Sequence, residues 1–262
     1  MTVLPEVRHI RASTLEEALG LIDDDVVPYA GATELVPAMR LGVRRPEAIV
    51  DLKRLQELVR VDVDMATNTV RLGAAMTHRA VADDSIVSEF LPSLAEAAAH
   101  VGNVRVRNSG TLGGNLSFAE PRSDLSVVLS ALDATVELAS AGGERTVPVR
   151  DLILGAFETC LAPEELLIAV TVPFEPAGMS YWKLQSYERP TVGIASLPVE
   201  GGWKIVVGAA TERPEEVIIA TNDIDAVEAF VNSLDLSDDL SGTPDYKRSI
   251  LRSRISRIVG LP

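Results

Sequence analysis

Two short glycine-bearing segments constrain this chain more than any other feature: Tyr29-Ala30-Gly31-Ala32-Thr33-Glu34-Leu35 and Asn108-Ser109-Gly110-Thr111-Leu112-Gly113-Gly114-Asn115. Each is expected where a strand ends and a loop begins. Glycine lets a loop turn its amide N–H groups towards an anion, because no side chain blocks the approach or forbids positive φ. Each loop alone reads equally well as an ordinary strand-to-helix turn. Two of them suggest a pyrophosphate gripped from both sides. Neither fits the GxGxxG dinucleotide fingerprint, and the chain has no GxxxxGK[ST] segment, so a Rossmann fold or a P-loop is not the source of the pattern. Thr33, Thr111 and Asn115 add small polar side chains able to donate to phosphate or ribose oxygens. Asp124 reads either as a helix N-cap or as a carboxylate accepting bonds from ligand hydroxyls.

Composition narrows the partners. The chain has 262 residues, with 24 Lys plus Arg against 38 Asp plus Glu, for a net charge of −14. That balance argues against a nucleic acid, which calls for a basic patch. It leaves room for a small anion held by backbone amides. Cys160 is the single cysteine, so neither an intrachain disulfide nor a cysteine-ligated iron–sulfur cluster is expected within this chain. His9, His78 and His100 lack metal-ligand spacing. No basic and apolar leader is visible, and no apolar run reaches the length of a membrane span, so the expectation is a cytoplasmic protein.

The periodicity predicts mixed helices and strands. Ser13-Thr14-Leu15-Glu16 reads as a capping box opening a helix with Leu15, Ala18, Leu19 and Ile22 on one face. Strands are expected over 26–30 and 48–52, with a helix over 34–41 between them. From residue 55 the alternation of Leu58 to Val63 and Thr69 to Leu72 predicts half-exposed antiparallel strands. Helices are expected over 91–101 and 125–132, and a strand through Val136 and Leu138. A third section has strands over 166–172, 181–186, 194–199 and 204–209, then helices over 226–234 and 246–259. Three domains are expected, over 1–55, 56–160 and 161–262.

The two glycine segments carry a family resemblance. Tyr29 to Pro37 is similar to the first FAD loop of the flavin-binding medium subunits of molybdenum hydroxylases, the family of carbon monoxide dehydrogenase and of the xanthine dehydrogenase flavin domain. Val106 to Leu116 is similar to the second loop, and the match runs on through Ala119-Glu120-Pro121-Arg122-Ser123-Asp124-Leu125. Leu72-Gly73-Ala74-Ala75-Met76-Thr77 resembles the strand-turn before the family's long helix, and Tyr246-Lys247-Arg248 the start of its last helix. The resemblance implies an α+β, PCMH-type FAD-binding fold of two α+β subdomains, followed by a C-terminal domain with a small antiparallel sheet and helices. It puts Ala30, Gly31, Ala32, Thr33, Glu34, Leu35, Thr111, Gly113, Gly114 and Asn115 at the FAD pyrophosphate, with Tyr29 and Gly110 also among the cofactor-binding residues. It puts Asp124 on the ribityl or ribose hydroxyls, Thr77 near the cofactor, Leu167 or Ile168 against the flavin ring, and Lys183 at its polar edge. Tyr187 is a candidate to cover the ring. Ala32 stands where the family commonly has glycine. If that position needs positive φ, alanine costs about 1 kcal/mol.

The function implied is an FAD-binding oxidoreductase subunit with no catalytic side chain of its own. It passes electrons from a molybdenum-cofactor large subunit and a [2Fe–2S] small subunit to NAD, quinone or oxygen. The alternative is a stand-alone FAD-dependent oxidoreductase acting directly on a small organic molecule, kept open by the thin basic character of the stretch after Lys183. A binding module that has lost FAD fits poorly with intact polar groups at Thr33, Thr111, Asn115 and Asp124.

Overall fold

The structure is a computed structural model that describes residues 5–186 and 188–261. Tyr187 therefore lies outside the described residues. The chain begins with β1 (Arg8–Arg11), α1 (Leu15–Leu19), β2 (Val26–Tyr29), α2 (Leu35–Arg40) and β3 (Ala48–Asp51). The strands form a parallel sheet in the order β1-β3-β2. Thr14 caps α1 by accepting from the Glu17 N–H at 3.1 Å, and the Glu17 carboxylate accepts back from the Ser13 N–H at 2.7 Å. The capping box thus sits one residue later than its sequence pattern. Ala18 and Ile22 then bury against Val50 and Leu52. The first glycine loop leaves the carboxyl end of β2, the end at which parallel sheets hold ligands.

A 3-10 turn over Gln56–Val59 opens the next section, where a strand was expected. Leu58 is turned into the core, and its carbonyl accepts from Ala75 N–H at 2.8 Å, so alternation starts only at Val61. There follow β4 (Val61–Asp64), β5 (Thr69–Gly73), α3 (His78–Asp83), α4 (Ser85–Phe90), α5 (Pro92–Ala99), α6 (Val104–Ser109), α7 (Leu112–Phe118) and α8 (Asp124–Ala131). The section continues through β6 (Thr135–Ser140), β7 (Gly143–Pro148), α9 (Val149–Leu152), the small hairpin β8 (Ile153–Gly155) and β9 (Glu158–Thr159), and β10 (Leu166–Pro173). The sheet is antiparallel in the order β4-β5-β10-β6-β7. Its central strand, β10, lies beyond residue 160, so a division at that point cuts through the sheet.

The last section is a meander, β11 (Ser180–Leu184), β12 (Val192–Val199), β13 (Gly202–Gly208) and β14 (Glu215–Ala220), covered by α10 (Ile224–Ser233) and α11 (Pro244–Ile258). The architecture is α+β. Every residue of α8 is buried, because the helix packs into the second section's core on one side and against β12 and β13 on the other. The contact is close: a Cβ at Gly208 would lie 2.3 Å from Val127 Cγ2. No helix among the described residues is long and apolar enough to cross a membrane.

Candidate cofactor site

The two glycine segments meet. A Cβ built on Gly31 would fall 2.2 Å from the Ser109 carbonyl oxygen and 2.8 Å from Gly110 Cα. No real Cβ tolerates such a separation, so glycine at 31 is what allows the two backbones to touch. Sequence reasoning expected the second segment to follow a strand. It follows a helix instead. Asn108 and Ser109 end α6, Gly110 links, and Thr111 caps α7.

The amides of the two segments are used differently. In the second, Gly113 N–H donates to Ala74 O at 2.8 Å and Leu112 N–H to Met76 O at 2.9 Å. Gly114 N–H donates to Thr111 Oγ1 at 3.1 Å, and Asn115 N–H to Thr111 O at 2.9 Å. A Cβ on Gly113 would meet the Ala74 Cβ at 2.6 Å, so this glycine serves backbone packing. Gly114 is exposed, and a Cβ there would meet only Thr111 Oγ1, at 2.8 Å. In the first segment, no acceptor among the described residues engages the N–H groups of Gly31, Ala32 or Thr33. Ala32 has φ of 55°, in the left-handed region. The position that the family commonly gives to glycine therefore does need positive φ, and alanine occupies it under strain.

Thr77 and His78 complete the junction. Thr77 caps α3 and pairs across to Thr111, while His78 N–H donates to Gly110 O at 2.9 Å. The His78 ring packs where a Cβ of Gly110 would be, 3.0 Å away. It is 3% exposed, and its Nδ1 has no partner among the described residues. Burial lowers its pKa to about 4.

Asp124 answers its two sequence readings. Ser123, not Asp124, is the cap of α8. Asp124, 5% exposed, instead accepts from Tyr181 Oη at 2.5 Å and from Lys183 Nζ at 2.8 Å. Lys183 Nζ also reaches His100 O at 3.2 Å. Tyr181 and Lys183 lie two apart on β11, so both face α8. Ser123 Oγ donates to Asn115 Oδ1 at 2.7 Å, which ties this part-buried ion pair to the second glycine segment.

The Leu167 and Ile168 side chains are buried in two separate cores, and Ile168 O accepts from Ala74 N–H at 3.0 Å. Tyr29 carries the Lys53 ammonium over its ring, 4.3 Å from the centroid. Ala30 and Leu35 flank the open amides, with Leu35 the first residue of α2. Glu34 makes no cap, and its carboxylate pairs with Arg189 at 3.0 Å. Arg189 also pairs with Glu120, so one side chain joins the first glycine segment to the stretch after the second. Sequence reasoning missed Tyr181, His78 and Arg189. The first had a legible signal, the period-two spacing to Lys183, and the other two had none.

Facing backbone loops, with open amides on one side and a part-buried lysine–carboxylate pair nearby, form an α+β arrangement whose amides suit a diphosphate-bearing group. The glycine positions fit such a group, since a Cβ at Gly114 would intrude from the solvent face. The chain belongs to the family of FAD-binding domains in molybdopterin dehydrogenases, whose model matches residues 5–175. It is 28% identical to the nicotine 6-hydroxylase medium subunit of Paenarthrobacter nicotinovorans, over 98% of this chain and 97% of that one. It is 30% identical to the 6-hydroxypseudooxynicotine dehydrogenase complex subunit alpha of the same organism, over 97% and 93%. Among solved structures, it superposes on a chain of carbon monoxide dehydrogenase from Hydrogenophaga pseudoflava with a TM-score of 0.88 and 26% identity, covering 98% of this chain and 97% of that chain.

Proposed function

We propose that this chain is the flavin subunit of a molybdenum hydroxylase complex, taking electrons from a [2Fe–2S] small subunit fed by a molybdenum-cofactor large subunit. It delivers them to an external acceptor such as NAD, quinone or oxygen. FAD, when bound, supplies the two-electron and one-electron redox chemistry. The chain's own residues bind and orient it. The single observation that carries this reading is the backbone contact of Gly31 with Ser109 and Gly110, next to three N–H groups without an acceptor among the described residues.

In this reading the first loop, Tyr29 to Leu35, donates amides to the pyrophosphate. Gly110, Thr111, Gly113, Gly114 and Asn115 form the opposing wall, with Gly114 leaving space and the Thr111 hydroxyl free to turn from the Gly114 amide to an oxygen of the ligand. Thr77 holds that wall in place. Asp124 accepts from hydroxyls of the cofactor, and Lys183, already paired with it, faces the ring's polar edge. Leu167 and Ile168 back the site through the cores beneath it. Cytoplasmic residence agrees with a lone free thiol at Cys160.

The test is purification of the native protein with whatever accompanies it. We expect a yellow protein whose FAD is released on denaturation, together with molybdenum and iron–sulfur partners. A colourless chain that ignores added FAD would end the proposal. Turnover of an organic substrate by the isolated chain, with direct reoxidation by oxygen, would favour a stand-alone flavoenzyme.

A further inference from the structure

Asp124 is a carboxylate in a nearly dry site, and such a group stays charged only when donors surround it. It has two here, one on each oxygen: Tyr181 Oη at 2.5 Å and Lys183 Nζ at 2.8 Å. Each carboxylate oxygen accepts at two positions, so among the described residues each keeps one free. The tyrosine reaches the carboxylate only because its neighbour strand carries no side chain at one place. A Cβ on Gly193 would stand 2.7 Å from Tyr181 Oη but 3.4 Å from the nearest ring carbons. Position 193 thus excludes a methyl group on account of the hydroxyl alone. Trp182, between Tyr181 and Lys183, points the other way into the C-terminal core, where Arg254 lies over its ring, 4.7 Å from the centroid. The strand therefore spends two of three consecutive side chains on a single carboxylate.

We infer that Tyr181 is a positioning residue of the flavin site: its hydroxyl, admitted by Gly193, fixes the Asp124 carboxylate so that the remaining lone pairs meet the ribityl hydroxyls of FAD. The inference rests on the reading of Asp124 as a cofactor ligand. The ribityl chain is chosen over the ribose because Lys183, bound to the same carboxylate, belongs to the flavin end in that reading. Burial first, and the Asp124 charge second, push the Tyr181 phenol well above its ordinary pKa, so it remains a donor. Backbone pairing holds the geometry: Lys183 lies opposite Gly193, and Tyr181 opposite Ala195.

The experiment measures FAD and FMN affinity and the melting temperature of the full chain for Tyr181→Phe, Gly193→Ala, the double variant and Asp124→Asn. Tyr181→Phe should weaken FAD and FMN by the same factor, about tenfold, and should lower the melting temperature of the apoprotein, since Asp124 loses one of its two donors. Gly193→Ala should lower both affinity and melting temperature. Adding Tyr181→Phe to it should bring the melting temperature back to that of Tyr181→Phe alone without restoring the affinity, because only the hydroxyl clashes with the new methyl. Wild-type binding of both flavins by Tyr181→Phe, with Asp124→Asn defective, would overturn the inference and leave the Asp124 reading intact. Wild-type binding by Asp124→Asn would remove the Asp124 reading itself. Weakened FAD with unchanged FMN would overturn the ribityl placement.

Discussion

Gly31 in the first loop and Gly113 in the second both sit where a Cβ would strike backbone or a neighbouring methyl, yet the loops around them differ in what they leave available. The second loop has spent its amides from Leu112 to Asn115. Leu112 and Gly113 bond to the 74–76 turn, and Gly114 and Asn115 bond to Thr111. The first loop has spent none of those at 31 to 33 on any acceptor among the described residues. One loop is a finished wall, and the other is an open set of donors pressed against it. The lesson is that glycine-rich sequence marks close backbone approach in general. Here Gly31 and Gly113 serve approach to protein, and Gly114 alone faces outward.

The contrast breaks most completely at the contact itself. Gly31→Ala should drive a methyl into the Ser109 carbonyl, separate the loops and abolish FAD retention. The overpacking should also lower stability by about 2 kcal/mol, read by denaturant unfolding. A yellow, fully stable variant would show that the loops need not touch. A comparable effect should follow from acid, through the finished wall only. The His78 ring, packed on Gly110, has its pKa lowered to about 4 by burial, while the unfolded chain protonates near 6.5. Between these values the unfolded state binds the extra proton, so stability is lost as pH falls from about 6.5 to about 4, by about 3 kcal/mol in full. His78→Gln should flatten that part of the pH–stability curve. An unchanged curve would rule out the ring as its source.

Local signals made the mixture of helices and strands legible, since glycine, capping residues and apolar periodicity act locally, while the α+β fold class came from the family resemblance and the parallel pairing of the first section was not foreseen. Thr111 was picked out by its polar side chain and Thr77 by resemblance, and both turn out to be caps facing each other. What remained hidden depends on distant pairing. The place of β10 in mid-sheet is set by its partners β5 and β6, not by any property of residues 166–173 themselves. The same holds for α6, α7 and the Gly110 link, which read as strand and loop because each helix is under two turns long. Asp124 looked like a cap because the true cap, Ser123, stands beside it. Arg189 linking Glu34 to Glu120 spans three sections, and no spacing announces it.

A third test acts on the ligand side of the wall and spares the wall. Gly114 is exposed, and a side chain there meets only the Thr111 hydroxyl. Gly114→Val should therefore retain the fold, with a stability change of about 1 kcal/mol or less from the disturbed cap. It should bind FAD at least tenfold more weakly, because a β-branched group projects where the pyrophosphate approaches. Fluorescence titration of the apoprotein with FAD separates the two effects. Intact FAD binding would move the pyrophosphate away from α7.

The smallest expected effect concerns the open loop. Ala32 holds φ of 55°, a conformation its methyl group disfavours and glycine does not. Ala32→Gly removes that strain, at the cost of a more flexible unfolded chain, so the net gain is about 0.5 kcal/mol or somewhat more. Melting should rise by about 2 °C. The open amides of Gly31 to Thr33 stay where they are, held by the Ser109 contact next to them and by the Ala32 O bond to Val36 N–H at 3.1 Å. FAD affinity should accordingly change by less than about twofold. A gain in stability with a large loss of affinity would mean that the alanine keeps the loop from sampling other shapes. Strain at Ala32 would then be part of how the donors are kept ready for the cofactor.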